Sequence, residues 1–531
     1  MKYFRLTILF LILTEIFSFC GFLYSDFNKM CFLAIILITI ILSLKKMEYG
    51  IYILLAELFV GSFGYLFFYE TGGISVSLRL GLFISVMSVW LAKVLTSKEH
   101  RLGFIKKLKN NKFIKYYFIF FAFLVWGVIW GILRKNGIDN VFFDANSYIY
   151  FALIFPFLDV IKNKDQIKII IEILFASAIV ISVKTLFLLF VFSHKMYYVM
   201  EFLYKWIRDY RLGEITEWQG GFYRVFSQSH IYVLIALFAV ILLNTKQRES
   251  VVSAETHELT RIRTRKARML ILYVLFFSIV LVGLSRSFWV GGLMAGIVMI
   301  AILLFVIKYP IRKLIKFILS LILCGVASII FIFMLVKFPY PKENIDFSIS
   351  LFSSRASAIT GESGASSRWN LLPVLTKATF KHPIIGSGFG SAVTYTSNDP
   401  RVRASSPTGD YTTYAFEWGY LDIIFKIGLA GMLAYLLLVW KILAKAYFYL
   451  KSEVCGNEAG FADRSPVSTS ASSRGGRIST QNSRGVYLPK LVFWLIIGLI
   501  VILATSIFSP YMNHPLGIGY IMLATAILSV V

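Results

Sequence analysis

Six side chains have the type and placement to hold an anion or to move a proton: Arg79, Arg224, Arg286, Arg368, His382 and Glu417. A guanidinium is always charged and offers its donors in a fixed fork, which suits anion binding. Arg224 (FYRVFSQSH) stands at the end of an apolar run, and Arg286 (LSRSFWVGG) sits in the break between two such runs. Arg368 (SSRWN) opens a short polar helix for which Ser366 or Ser367 is the expected N-cap. Each arginine alone also reads as a charge that ends a helix. Three of them beside segment ends and aromatics point to one converging site. Arg79 (SVSLRLGL) falls about a turn inside an apolar run, where a charge marks function or a snorkelling side chain.

His382 and Glu417 are the candidate bases. His382 precedes Pro383 in KHPIIGSGFG, a place where histidine also commonly ends a helix. The GSGFG stretch at 386–390 has the look of a phosphate loop. Without a strand before it and a helix after it, its glycines read as a tight turn whose N–H groups lie near an anion. Glu417 (FEWGYLD) borders a returning apolar run, and desolvation there beside Trp418 would make its carboxylate more basic; the alternative is an exposed interfacial Glu. Asp422 and Lys426 are spaced to pair with each other. No Walker loop, H-E-x-x-H, G-x-S-x-G or metal-type cluster is present, so neither a metal nor another cofactor is expected.

The elements that must position these groups are membrane helices. The chain has 531 residues, 58% hydrophobic and only 15% charged, with a mean hydropathy of +0.74. Soluble domains run near 45–50% apolar and about 25% charged. The expected fold is all-α and polytopic. Fourteen apolar runs of roughly spanning length occur at 4–24, 30–44, 49–69, 74–95, 116–133, 147–161, 169–193, 230–244, 269–284, 287–307, 315–336, 419–440, 491–508 and 515–531. The first run lacks a small-x-small cleavage site and reads as a retained helix. With the N-terminus inside, inward segments carry a net +24 and outward ones +3, which accounts for the basic balance without a nucleic-acid partner. The runs at 98–115 and 261–268 then sit where anionic lipid attracts them. The four cysteines show neither metal-ligand spacing nor an outward disulfide pair.

This divides the chain into three parts. Residues 1–336 hold eleven spans and an outward loop at 194–229, where Tyr197, Phe202, Trp206 and Tyr210 follow the spacing of an interfacial helix. Residues 337–418 form a long outward loop with short helices. Residues 419–531 hold three spans and a Ser/Gly/Arg-rich linker at 452–487 that reads as disordered.

The succession RVFSQSH (224–230), LSRSFW (284–289), SSRWNLLPVLTKATFKHPIIGSGFG (366–390) and YLDIIFKIGLAG (420–431), with LRL at 78–80, resembles the bacterial O-antigen ligase and O-antigen polymerase superfamily over roughly residues 70–440. The resemblance implies a metal-independent glycosyltransferase of the inner membrane, acting on its outer side. Its donor would be an undecaprenyl-diphosphate-linked glycan and its acceptor a glycan or lipid. It also implies that Arg224 and Arg286, with Arg79, meet the lipid diphosphate, and that Arg368 is the arginine of the outward loop. Where the ligases carry a His-Asn pair this chain has Glu417-Trp418, which favours a polymerase or a ligase-like enzyme with another base. The competing classes are a polysaccharide flippase or other transporter and a non-catalytic partner in envelope assembly. The scattered in-span charges and the lack of related halves count against the transporter.

Overall fold

The computed structural model describes residues 2–218, 221–244, 256–339, 363–398, 400–406, 408–462 and 487–531. The chain opens on α1 (Lys2–Leu23), α2 (Ser25–Lys45) and α3 (Met47–Val60). Leu9, Phe10, Leu37 and Leu44 of the first two are each more than half exposed, an apolar surface suited to lipid and not to water. The expected span at 49–69 ends early. At Gly61 a side chain would meet the Glu57 carboxylate 1.9 Å away, and Ser62 turns the chain with a φ of 53°. The hairpin β1 (Phe68–Thr71) and β2 (Ile74–Ser77) follows. The expected span at 74–95 therefore begins later, at α4 (Leu78–Thr96), where Ser77 accepts the Leu80 N–H.

The basic helix α5 (Lys98–Asn110) buries Phe104 and is tied down by His100 Nε2, 2.8 Å from Asp159 Oδ2. Then come α6 (Ile114–Leu133) and a crossing built from α7 (Ile138–Ala145), a 3-10 turn (Asn146–Leu153) and α8 (Ile154–Val160). Asn163 and Gln166 form a capping box that opens the 30-residue α9 (Lys164–Ser193). In the loop after it, α10 (Tyr197–Asp209) is helical, as the aromatic spacing implies. It buries Leu203, Trp206 and Ile207 and leaves Tyr197 and Phe202 exposed. The rest of that loop is a second hairpin, β3 (Glu214–Glu217) with β4 (Tyr223–Phe226).

Next are α11 (His230–Asn244), α12 (Thr256–Val282), α13 (Arg286–Ala301) with a π turn (Ile302–Val306), and α14 (Ile311–Lys337). The excursion before the last helices contains α15 (Ser363–Thr379), β5 (Val393–Thr396), α16 (Pro400–Ser405) and β6 (Asp410–Thr413), with β5 and β6 paired antiparallel. Ser366 and Ser367 lie inside α15 and not at its start, where the expected N-cap would stand. Their hydroxyls receive the Asn398 side-chain and backbone N–H groups, tying α15 to the turn after β5. The chain ends on α17 (Gly419–Ala462), α18 (Tyr487–Thr505) and α19 (Pro515–Val530). α17 runs through the first part of the expected 452–487 linker; 463–486 lies outside the described residues, as does 340–362 of the long loop.

Ten helical stretches among the described residues are long and apolar enough to cross a membrane, with shorter apolar helices at His230–Leu243 and Pro515–Val530. α19 is enclosed almost throughout. Gly519 lets α3 approach so closely that a Cβ there would stand 2.3 Å from Leu58. At one end of the bundle Asn28 bonds to the Phe68 carbonyl and the Ser62 N–H to Ser229, and at the other Asn111 and Lys445 meet Ser529 and the Leu528 carbonyl.

Candidate functional site

The α18–α19 turn, 506–514, joins the segments that carry the arginines. Ser509 Oγ bonds to Ser287 Oγ at 3.0 Å, next to Arg286. The Phe508 ring meets Trp418 at 5.7 Å, and a side chain on Gly419 would collide with the Ser506 carbonyl at 2.6 Å. Tyr511 donates to Gln228 Oε1 at 2.6 Å and its ring faces Phe288. His514 stacks edge-on against Phe63 at 5.6 Å. The sequence gives little signal for this role, because SIFSPYMNH reads as an ordinary polar turn between two spans.

Arg224 is tied to Gly283, three residues before Arg286 in the chain. Arg224 Nε donates to the Gly283 carbonyl at 3.0 Å, its Nη1 pairs with Glu214 at 3.1 Å, and its guanidinium lies over the Phe226 ring. Phe226 packs on Phe288, two residues past the half-buried Arg286. Arg368 pairs with Glu417, and Trp418 Nε1 donates to the Arg368 carbonyl at 3.1 Å. Two expected members of the site are thus one ion pair, reached from Arg286 through Ser287, Ser509, Phe508 and Trp418. Both partners are about half exposed, at 48% and 49%, so the desolvation expected of Glu417 is missing.

Arg79 is 3% exposed and fully committed. Its Nε and Nη2 hold the two Glu57 oxygens at 3.1 Å each and its Nη1 the Ser62 carbonyl at 2.7 Å. It braces the turn after α3 and is not presented at a surface. Enclosure, with Arg79 close by, pushes the neighbouring His514 down to about 3, which keeps its imidazole neutral.

His382 lies on a different junction. Its Nε2 accepts from Arg134 Nη1 at 2.5 Å, and its backbone N–H closes the turn after α15. The segment it opens is a clasp for a broken helix. Gly428 takes φ 73° and ψ 175° and interrupts α17, which frees carbonyls that a helix would have used. Ser387 and Gly388 donate to the Phe425 and Lys426 carbonyls at 2.7 and 3.0 Å, and Leu429 returns an N–H to Pro383 at 2.8 Å. Phe389 N–H reaches the Gly127 carbonyl at 2.9 Å, and Gly390 N–H the Asp144 carboxylate at 2.9 Å. The glycines do supply the turn, with φ of 78°, 83° and 75° at Gly386, Gly388 and Gly390. The one anion they meet is the protein's own Asp144, at the Gly390 N–H, while the Gly386 and Gly388 N–H groups go to the His382 and Lys426 carbonyls.

The i,i+4 pairing of Asp422 and Lys426 is present at 2.5 Å, and Lys426 pairs as well with Asp144 from α7. Sequence spacing could not find that third member, nor Glu15 with Lys184 and Arg134 with His382, because these partners are far apart in the chain. Among the described residues no three His, Cys, Asp or Glu side chains are grouped to hold a metal ion. Fold and apolar helices together define a helical, multi-pass membrane protein. No protein-family model matches the chain, and none of the curated proteins does.

Proposed function

We propose that this chain is a metal-independent transferase of the O-antigen ligase and polymerase type. It would move or extend a glycan from an undecaprenyl-diphosphate carrier at the outer face of a bacterial inner membrane. In this reading the fourteen apolar runs each cross the bilayer, both termini lie inside, and 337–418 faces outward. The observation that carries it is the chain of contacts from the Arg224–Gly283–Arg286 corner to the Arg368–Glu417 pair through the 506–514 turn. That arrangement lines cations and a carboxylate along one rim of a membrane bundle. An open groove of about 560 Å³, lined by Leu372, Pro373, Thr376, Lys377 and Phe380, runs along α15; Leu372 and Thr376 lie one and two turns beyond Arg368. A charged end beside an apolar groove suits an amphipathic donor.

The acceptor hydroxyl oxygen would bond to the anomeric carbon while the bond from that carbon to the diphosphate breaks, its electron pair leaving with the diphosphate. Fixed guanidinium groups stabilise that leaving group without a metal. When diphosphate oxygens compete for Arg368, Glu417 loses its partner and becomes free to take the hydroxyl proton. Arg79 serves by bracing the frame. The test is purified protein in nanodiscs given a short undecaprenyl-diphosphate oligosaccharide and an acceptor, with product read on a gel with and without a chelator. Longer or transferred glycan in both conditions is expected. An intact donor with no product, or donor that only crosses a vesicle bilayer, would discard the transferase reading and leave the transporter.

A further inference from the structure

Among the described residues, three charge clusters are buried within the helical bundle, and they differ in balance. Glu57 meets Arg79, and Glu15 meets Lys184 at 2.6 Å, one carboxylate to one cation each. The third cluster sets two carboxylates, Asp144 of α7 and Asp422 of α17, on the single ammonium of Lys426. Their side chains are 6%, 2% and 2% exposed. Several neighbouring elements contribute a group. The 3-10 turn brings Tyr148, the 383–391 clasp the Gly390 N–H, the stretch before α17 the Phe416 ring, the 506–514 turn Asn513, and α17 itself Tyr435 beside Tyr148. Among the described residues, Lys426 is the one cation that meets either carboxylate. A surplus negative charge in so apolar a place is strongly disfavoured.

We infer that Asp144, Lys426 and Asp422 form a proton-binding site that holds one proton at neutral pH, carried on Asp422. Asp144 is served as an anion by two donors, Lys426 and the Gly390 N–H at 2.9 Å. Asp422 is held less completely: its Oδ1 faces Lys426 without a hydrogen bond of good geometry, and its Oδ2 accepts from the Asn513 side-chain amide N–H. The Asn513 carbonyl oxygen has no donor at all. Turning that amide over sets the carbonyl against Asp422 Oδ2, where a carboxylic O–H donates to it, and the two amide orientations have the same shape. A second observation points the same way. The Tyr148 hydroxyl, on a residue 4% exposed, is buried near both carboxylates with no hydrogen-bond partner of its own. Asn513 belongs to the 506–514 turn and Gly390 to the clasp, so this proton helps to fix both against α17. The inference does not depend on the proposed transfer reaction.

The test uses the full chain in nanodiscs. At neutral pH its infrared spectrum should contain the carbonyl stretch of one buried carboxylic acid. Asp422→Asn, isosteric with the acid, should remove that band and stay folded. Asp144→Asn should remove it too, since one carboxylate would then face one ammonium. The unfolded Asp422 ionises above about pH 4 while the folded one keeps its proton, so the folded state binds more protons and wild-type stability falls as pH rises. Relative to Asp422→Asn, the wild-type melting temperature should drop as pH rises from about 4 until the folded acid ionises. A wild-type spectrum with no more acid band than Asp422→Asn overturns the site, as does a band that survives in both variants. Should Asp422→Asn not fold, the wild type alone decides: an acid band that never titrates away on alkalinisation, or is absent at neutral pH, overturns it.

Discussion

Arg368 and Glu417 meet as an ion pair, the first from α15 and the second from the two residues that lead into α17. Trp418 locks the junction by donating to the Arg368 carbonyl, with Trp369 edge-on to its ring at 5.4 Å. A half-exposed pair of this kind contributes about 0–1 kcal/mol to stability, so its partners can be exchanged at little cost.

Glu417→Gln keeps the shape of the side chain and loses the basic carboxylate. Product formation should fall by about 100-fold or more while the melting temperature hardly moves. His382→Ala, which disturbs only the contact with Arg134, should keep most activity. The reverse result in a gel assay, full activity in Glu417→Gln and none in His382→Ala, would transfer the base role to the histidine.

Arg224→Ala and Arg286→Ala should leave membrane abundance close to wild type and lower glycan product steeply. Normal product from Arg286→Ala, with the protein confirmed by immunoblot, removes the diphosphate role proposed for it. Arg224→Ala also frees Glu214 and the Gly283 carbonyl.

Gly388→Ala should destabilise the protein by roughly 2 kcal/mol or more. Its φ is 83°, and a Cβ would stand 2.4 Å from the Gly131 backbone nitrogen, where nothing soft can yield. Gly103→Ala in α5 is the control, since a Cβ there meets nothing within 4 Å. Thermal unfolding in detergent separates them: a large loss is expected for the first and none for the second.

His514 is held down to about 3 by its enclosure and by Arg79, while the unfolded imidazole takes up a proton near pH 6.5. The unfolded state therefore binds more protons between those limits, and stability falls as pH drops through that window. The loss at pH 5 is on the order of 1–2 kcal/mol. His514→Asn retains a side-chain acceptor at the start of α19 and should melt with a shallower pH dependence below about pH 6.5. Equal slopes in the two proteins would discard this account of the acid sensitivity.

Composition and run length alone determined that this is a helical membrane protein, because a bilayer demands about twenty apolar residues per crossing and the chain repeats that pattern throughout. Local chemistry also made the aromatic helix α10, the turn glycines at 386–390 and the Asp422–Lys426 contact legible, since each depends on residues within a few positions of one another. The first hairpin was not legible, because β2 and the start of β1 lie inside apolar runs whose length alone reads as helix; the fold of Glu57 over Gly61 toward Arg79 ends α3 there. Tertiary structure likewise decided which of the six candidates share a site. Arg368 found Glu417, Arg79 was drawn into the frame by a buried carboxylate, and His382 was carried to Arg134. The sequence could not place Asp144 beside Lys426 either. Burial makes each charge seek whichever opposite charge the packing brings within reach, and that partner need not be near in the chain.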